Sequence, residues 1–126
     1  MLVCDDVMID QASGKTSIFG SFADIRAPKV PAIHPRLTLH IELTDGRGEV
    51  GMELRLVHAD TDEKVFSAAG ACQFPDPRVV ASLNFTVNNV LFPRAGEYRF
   101  QLYAEGTLLL ERRVTVHVPK EESEDA

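Results

Sequence analysis

The chain has no tryptophan, only two tyrosines and two cysteines, and fewer basic residues than acidic ones. Each shortage removes a class of function. Without tryptophan, aromatic platforms for stacking sugars are scarce. Two cysteines cannot build the framework of a disulfide-stapled secreted domain. Lysine and arginine number 13 against 19 acids, a net charge of −6, so the electrostatics that hold nucleic acid are missing. No stretch approaches the roughly 20 apolar residues of a membrane span. The start, Met1-Leu2-Val3-Cys4-Asp5-Asp6, lacks a basic region and a long apolar run, which speaks against a signal peptide. A cytoplasmic chain is expected, with Cys4 and Cys72 as buried free thiols. A Cys4–Cys72 bridge between two strands is the alternative.

Helical periodicity is also lacking, and alternation takes its place. Leu37, Leu39, Ile41 and Leu43 alternate with Thr38, His40 and Glu42. Val50, Met52, Leu54 and Leu56 alternate with Glu53 and Arg55. Between them lies Thr44-Asp45-Gly46-Arg47-Gly48, whose Asp-Gly predicts a hairpin over Leu37–Leu56. After the turn Asp60-Thr61-Asp62-Glu63, Lys64 to Gln73 is a strand with small residues Ala68, Ala69, Gly70 and Ala71, which permit close approach of another layer. Val79, Ala81, Leu83, Phe85 and Val87 form the next alternating row. In the last strand Leu108, Leu110, Val114, Val116 and Val118 share one parity that Arg112 interrupts, marking a bulge or a long side chain snorkelling from an edge. Near the N-terminus, Val3, Asp5, Val7 and Ile9 alternate in part, and Lys15 to Ile25 reads as one strand. Pro28, Pro31 and Pro35 make Arg26 to Arg36 an extended crossover.

The segment Phe92-Pro93-Arg94-Ala95-Gly96-Glu97-Tyr98-Arg99-Phe100 has the layout of the tyrosine corner of immunoglobulin-like sandwiches. There a tyrosine at the start of strand F bonds back to the backbone just upstream. Phe100 stands where those domains carry a cysteine. Tyr98, Phe100 and Leu102 are expected inward, and Arg99, Gln101 and Tyr103 outward. The fold expected is all-β: one immunoglobulin-like antiparallel sandwich of seven or eight strands over 1–119. A hairpin spans Glu97–Val118, and crossovers at Arg26–Arg36 and Phe74–Arg78 switch sheets. An open barrel is the alternative. Residues 120–126 carry four acids and one lysine, so −3 of the charge. They read as an acidic disordered tail or, alternatively, as a peptide docking on a basic partner.

Three segments, Cys4-Asp5-Asp6-Val7, Gly14-Lys15-Thr16-Ser17-Ile18-Phe19-Gly20-Ser21-Phe22 and His34-Pro35-Arg36-Leu37, together with Pro93 to Gly106, resemble a bacterial family of small proteins of unknown function. The resemblance spans nearly the whole chain. It implies an immunoglobulin-like β domain and offers no catalytic residues to carry over.

The candidate chemistry is thin. Gly14-Lys15-Thr16 looks like the end of a phosphate loop, but Ile9 stands where that loop needs glycine and a strand follows, so a turn is expected. Asp5 and Asp6 face opposite sides of a strand and cannot act as a pair; a structural role is expected of the inward one. His34, His40, His58 and His117 lack zinc-ligand spacing, and His40 should point away from the core, opposite Gly51 or Glu53. Asp60, Asp62 and Glu63 lack the remaining EF-hand positions. Cys4 or Cys72 with a distant histidine would make a thiol nucleophile, but buried strand cysteines are usually inert, and no Gly-x-Ser-x-Gly elbow occurs. No catalytic, cofactor-binding or metal residues are therefore assigned, and no cofactor or enzymatic activity is expected. The expected role is a protein-interaction or accessory structural module, with a protein partner or self-association and without nucleic acid or membrane. Val57, Tyr103 and Leu109 are candidates for a sticky sheet face. A small-molecule or carbohydrate-binding sandwich is the first alternative and an enzyme the second.

Overall fold

The structure, a computed structural model, describes residues 1–119; the acidic-tail expectation for 120–126 lies outside them. Among the described residues, nine strands form two sheets. They are β1 (Leu2–Ile9), β2 (Thr16–Ser21), β3 (Asp24–Arg26), β4 (Ala32–Leu43), β5 (Gly48–His58), β6 (Lys64–Phe74), β7 (Ala81–Phe92), β8 (Gly96–Ala104) and β9 (Thr107–His117). One sheet has the order β2-β1-β4-β7 and the other β3-β9-β8-β5-β6. The second order, with β4 and β7 in the facing sheet, matches the G-F-C-C′ and B-E arrangement of an immunoglobulin-like sandwich. Two separate sheets exclude the open barrel.

The core lies between the sheets where alternation predicts it. Leu37, Leu39 and Ile41 of β4, Leu54 and Leu56 of β5, Tyr98, Phe100 and Leu102 of β8, and Val114 of β9 are fully buried. At the small run of β6, the Phe85 ring of β7 lies 3.7 Å from where a Cβ on Gly70 would sit, an ordinary contact that leaves room for alanine. β8 and β9 pair as the expected hairpin, and Arg26–Ala32 and Phe74–Ala81 do switch sheets.

Several expectations are corrected. There are nine strands because Lys15–Ile25 is not one element. Phe22 N–H donates to the Val3 carbonyl of one sheet, while the Ala23 carbonyl accepts from Thr115 of the other. The chain changes sheets between two adjacent residues, and β3 then joins β9 in parallel. The crossover ending at Arg36 is shorter than expected, because β4 begins at Ala32. Leu37–Leu56 is no hairpin: β4 pairs with β1 and β7, and β5 with β6 and β8. Asp45 does take φ 68°, but the turn carries the chain from one sheet to the other. Gly46 is required there because a Cβ would meet the Phe74 ring at 2.4 Å. His40 accordingly lies opposite Asn84, not Gly51 or Glu53. It faces away from the core yet is 6% exposed, because β4 is flanked on both sides and its outward row bonds to its neighbours. His40 Nδ1 meets Asn84 Oδ1 at 2.7 Å, and the Thr38 and Thr86 hydroxyls meet at 3.0 Å.

The interruption at Arg112 is not itself a bulge. The slip lies at Leu109, where Leu102 faces Leu110 but Tyr103 faces Leu108, and this turns Leu108 outward. Arg112 stays in register opposite Phe100.

The corner between β7 and β8 forms as the sequence predicts. The Tyr98 hydroxyl donates to the Arg94 carbonyl at 2.6 Å and accepts from the Arg94 N–H at 3.1 Å. The ring packs edge-on against Phe92 and His58, with centroids 5.0 and 4.9 Å away. Gly96, at φ 117°, makes the tight turn that brings the hydroxyl back over Arg94.

Cys4 and Cys72 are both free and buried. Cys72 sits in the inter-sheet core, whereas Cys4 Sγ donates to the Thr38 carbonyl at 3.4 Å. Burial raises both thiols above their ordinary range, and the Asp5 and Asp6 charges add to the effect at Cys4. Both are therefore poor nucleophiles.

Two outcomes follow from the core. Tyr98→Phe removes both part-buried bonds to the Arg94 backbone and should lower stability by about 1 kcal/mol in a urea titration. Burial also raises the Tyr98 phenol above its usual 10.0, so the folded state holds that proton to higher pH than the unfolded chain. Stability is complete below pH ~10 and falls as pH rises through it; Tyr98→Phe should lose less over that interval than the parent. The cysteines give the second: at neutral pH a thiol-specific reagent should label neither in the native protein and both in denaturant. Rapid native labelling of either would contradict their placement.

Candidate interaction surface

Beyond the core, the N-terminal hairpin exposes three large apolar side chains. β1 pairs with β4 only through Leu2, Val3 and Cys4, while its pairing with β2 runs on to Ile9. From Asp5 onward the two strands form an arm. The Asp10–Lys15 turn closes its tip: Gly14 N–H donates to the Asp10 carbonyl, and the Asp10 carboxylate takes bonds from Ala12 N–H and the Ser13 hydroxyl. Those two bonds hold the Asp10 carboxyl below the usual carboxylate range. Gly14-Lys15-Thr16 is thus the turn expected, with Gly14 at φ 76° and Lys15 exposed.

The arm carries Val7, Met8, Ile9, Ile18 and Phe19, none of which belongs to the inter-sheet core. Met8 is 60% exposed, Ile9 56% and Phe19 48%. Strand pairing places Val7 beside Ile18 on one face and Asp6 beside Phe19 on the other, so apolar groups occupy both faces. Side chains tie the arm back to β4: Arg36 Nη2 lies 3.2 Å from Asp6 Oδ1, and His34 Nε2 is 4.0 Å from Asp5 Oδ1. Asp5, on the core-facing parity, is exposed because β1 has left the sandwich by that point.

The outer face of the second sheet is different. Val57, expected outward, is buried at 8%, Tyr103 is half-buried beneath Arg55, and Leu109 remains 44% exposed. Glu97 Oε2 takes Arg99 Nε at 3.1 Å and Arg113 Nε at 3.2 Å. Gln101 Nε2 donates to Glu111 at 2.7 Å. Arg55 donates to Glu53 at 3.0 Å with its guanidinium 4.1 Å above the Tyr103 ring. The bond to Arg55 holds the Glu53 carboxyl low, and Glu53 in turn raises Arg55. Such exposed pairs contribute about 0–1 kcal/mol each. They neutralise one another, and of Val57, Tyr103 and Leu109 the last alone is exposed.

The remaining candidates do not converge. His58 bridges Thr61 and the Ala95 carbonyl at 3.3 Å each, while His117 meets Asp24 at 2.8 Å. Glu63 pairs with Arg94 at 3.0 Å. Among the described residues no group of three or more His, Cys, Asp or Glu is placed to hold a metal. A cavity of about 480 Å³ is lined by Ala23, Arg99, Glu111, Arg112 and Arg113. It has no aromatic wall, and the buried Arg112 Nε has no hydrogen-bond partner among the described residues. No helix among them is long and apolar enough to cross a membrane.

The composition that signals the arm is ordinary for a strand. Only β1's departure from β4 after Cys4 exposes its side chains, and nothing in the local sequence marks that departure.

Among solved structures, the chain is similar to the crystal structure of the ZIG-8-RIG-5 IG1-IG1 heterodimer, with 11% identity over 78% of this chain and 81% of that one and a TM-score of 0.35. At that level the fold assignment rests on the strand order and the corner described above. No curated protein matches the sequence. A family model matches residues 1–117, and the chain belongs to the Family of unknown function (DUF6941).

Proposed function

We propose that this domain is a non-enzymatic, cytoplasmic protein-interaction module whose contact surface is the β1–β2 arm. The observation that carries the reading is the apolar set Val7, Met8, Ile9, Ile18 and Phe19, which lies outside the core on both faces of the arm. Leaving Met8, Ile9 and Phe19 in water forgoes burial worth about 1.5–3 kcal/mol for each full side chain. A partner presenting an apolar groove recovers that free energy. Elsewhere the second sheet's charges are already paired within the chain, which favours the arm over that face. The buried reduced cysteines fit a reducing compartment.

A small-molecule reading has less support. The cavity beside Ala23 offers guanidinium groups and one carboxylate but no aromatic wall, unlike the aromatic-lined pockets that enclose such ligands.

The test is a triple variant, Met8→Ser, Ile9→Ser and Phe19→Ser, compared with Leu108→Ser/Leu109→Ser at the far hairpin. The arm variant should keep its melting midpoint within a few degrees, since the core is untouched. It should lose proteins that the parent and the far-hairpin variant both retain in affinity capture. Capture of the same proteins by all three chains would end the assignment to the arm.

A further inference from the structure

We propose that β7 is a self-pairing edge, through which two copies of this chain join about a two-fold axis into one continuous sheet. β7 closes one side of its sheet: β4 lies on its inner side over the whole of Ala81–Phe92, and no strand among the described residues lies on its outer side. Every second residue of such an edge turns its N–H and C=O outward, a template for another strand. Natural edges are usually blunted by charge, proline or a bulge. From Ala81 to Asn88 this edge has none of these; its sequence is Ala-Ser-Leu-Asn-Phe-Thr-Val-Asn, and the first irregularity is Asn89 at φ 54°.

The occupant follows from the charge pattern. An antiparallel strand pairing with its own copy sets each side chain beside its mate or a near neighbour, so any charge would meet a like charge across the axis. β7 offers only neutral groups: Ser82, Asn84, Thr86 and Asn88 on the outward face, and Leu83, Phe85 and Val87 on the core-facing side. Those three apolar residues are only half-buried, because the sandwich has no further strand to cover them. A two-fold axis at Phe85 places Phe85 against its mate, Leu83 against Val87, Asn84 against Thr86, and Ser82 against Asn88. Apolar meets apolar and polar meets polar at every step, and the shared ladder covers the half-exposed row. The other free edges fit less well. β3 has three residues, two of them charged, β2 has six with Gly20 at φ 65°, and β6 starts on Lys64. This pairing is independent of the arm, which lies on the opposite edge of the same sheet.

Sedimentation velocity of the full chain at several concentrations tests it, with melting midpoints checked for each variant. The parent should sediment at twice the chain mass. Ser82→Lys/Asn88→Lys places lysine against lysine and should weaken the dimer more than about tenfold. Ser82→Lys/Asn88→Glu places opposite charges across the axis and should keep it. Should the double-lysine chain fail to fold, the charge-pair variant still decides: a dimer supports the pairing and a monomer overturns it. A parent that stays monomeric at every concentration overturns the proposal. So does a dimer insensitive to the double-lysine change, or one dissociated instead by Ser67→Lys/Gln73→Lys on β6. Arm variants that lose capture but remain dimeric separate this result from the arm reading.

Discussion

The two hydrogen bonds between the Tyr98 hydroxyl and the Arg94 backbone fix the point where the chain leaves one sheet for the other. Upstream, β7 lies against β4 for its full length; downstream, β8 sits between β5 and β9. A loop joining two sheets cannot satisfy its own backbone groups by strand pairing, and a buried unpaired group costs as much as a lost hydrogen bond. Tyr98 supplies both missing partners from a fully buried position, and its ring fills the gap between Phe92 and His58. No disulfide is needed. Phe100, two residues on, is fully buried where a cysteine would otherwise staple the sheets, so packing rather than a covalent bond holds them together.

With that corner and the alternating core in place, the surface divides into parts that satisfy themselves and parts that do not. The outer face of the larger sheet is closed chemically, its arginines and glutamates paired along β5, β8 and β9. The smaller sheet is open at both of its edges. On one side β1 and β2 leave the sandwich and carry apolar residues into water; on the other, β7 ends the sheet without charge and with a half-covered apolar row. Both openings belong to a single four-stranded sheet.

How much of this was legible in the sequence depended on whether one face of a strand is buried. β5 and β8 alternate cleanly because they pack the core on one side and face water on the other, so Leu54, Leu56, Tyr98 and Phe100 are readable as core. The outward row of β4 is not: Thr38 and His40 look like solvent positions, and only the strands on either side bury them. Asp45-Gly46 gives the same signal for a hairpin and for a link between sheets, and the glycine's actual reason, the Phe74 ring, is distant in sequence. The split of Lys15–Ile25 is invisible because Ile18, Phe19, Phe22 and Ile25 do not alternate and the switch is made by backbone groups of Phe22 and Ala23. The arm and the β7 edge are hidden for a related reason. Composition shows which residues are apolar or uncharged, whereas topology decides which strands have no neighbour.

Amide hydrogen exchange on the intact protein tests this division most directly. The Arg94 N–H, held by Tyr98, should exchange only when the whole domain unfolds, together with the amides of β5 and β8, while Val7 to Ile9 and Ser17 to Phe19 on the arm should exchange far faster. An Arg94 amide that exchanges like an exposed loop, or an arm as protected as the core, would contradict it.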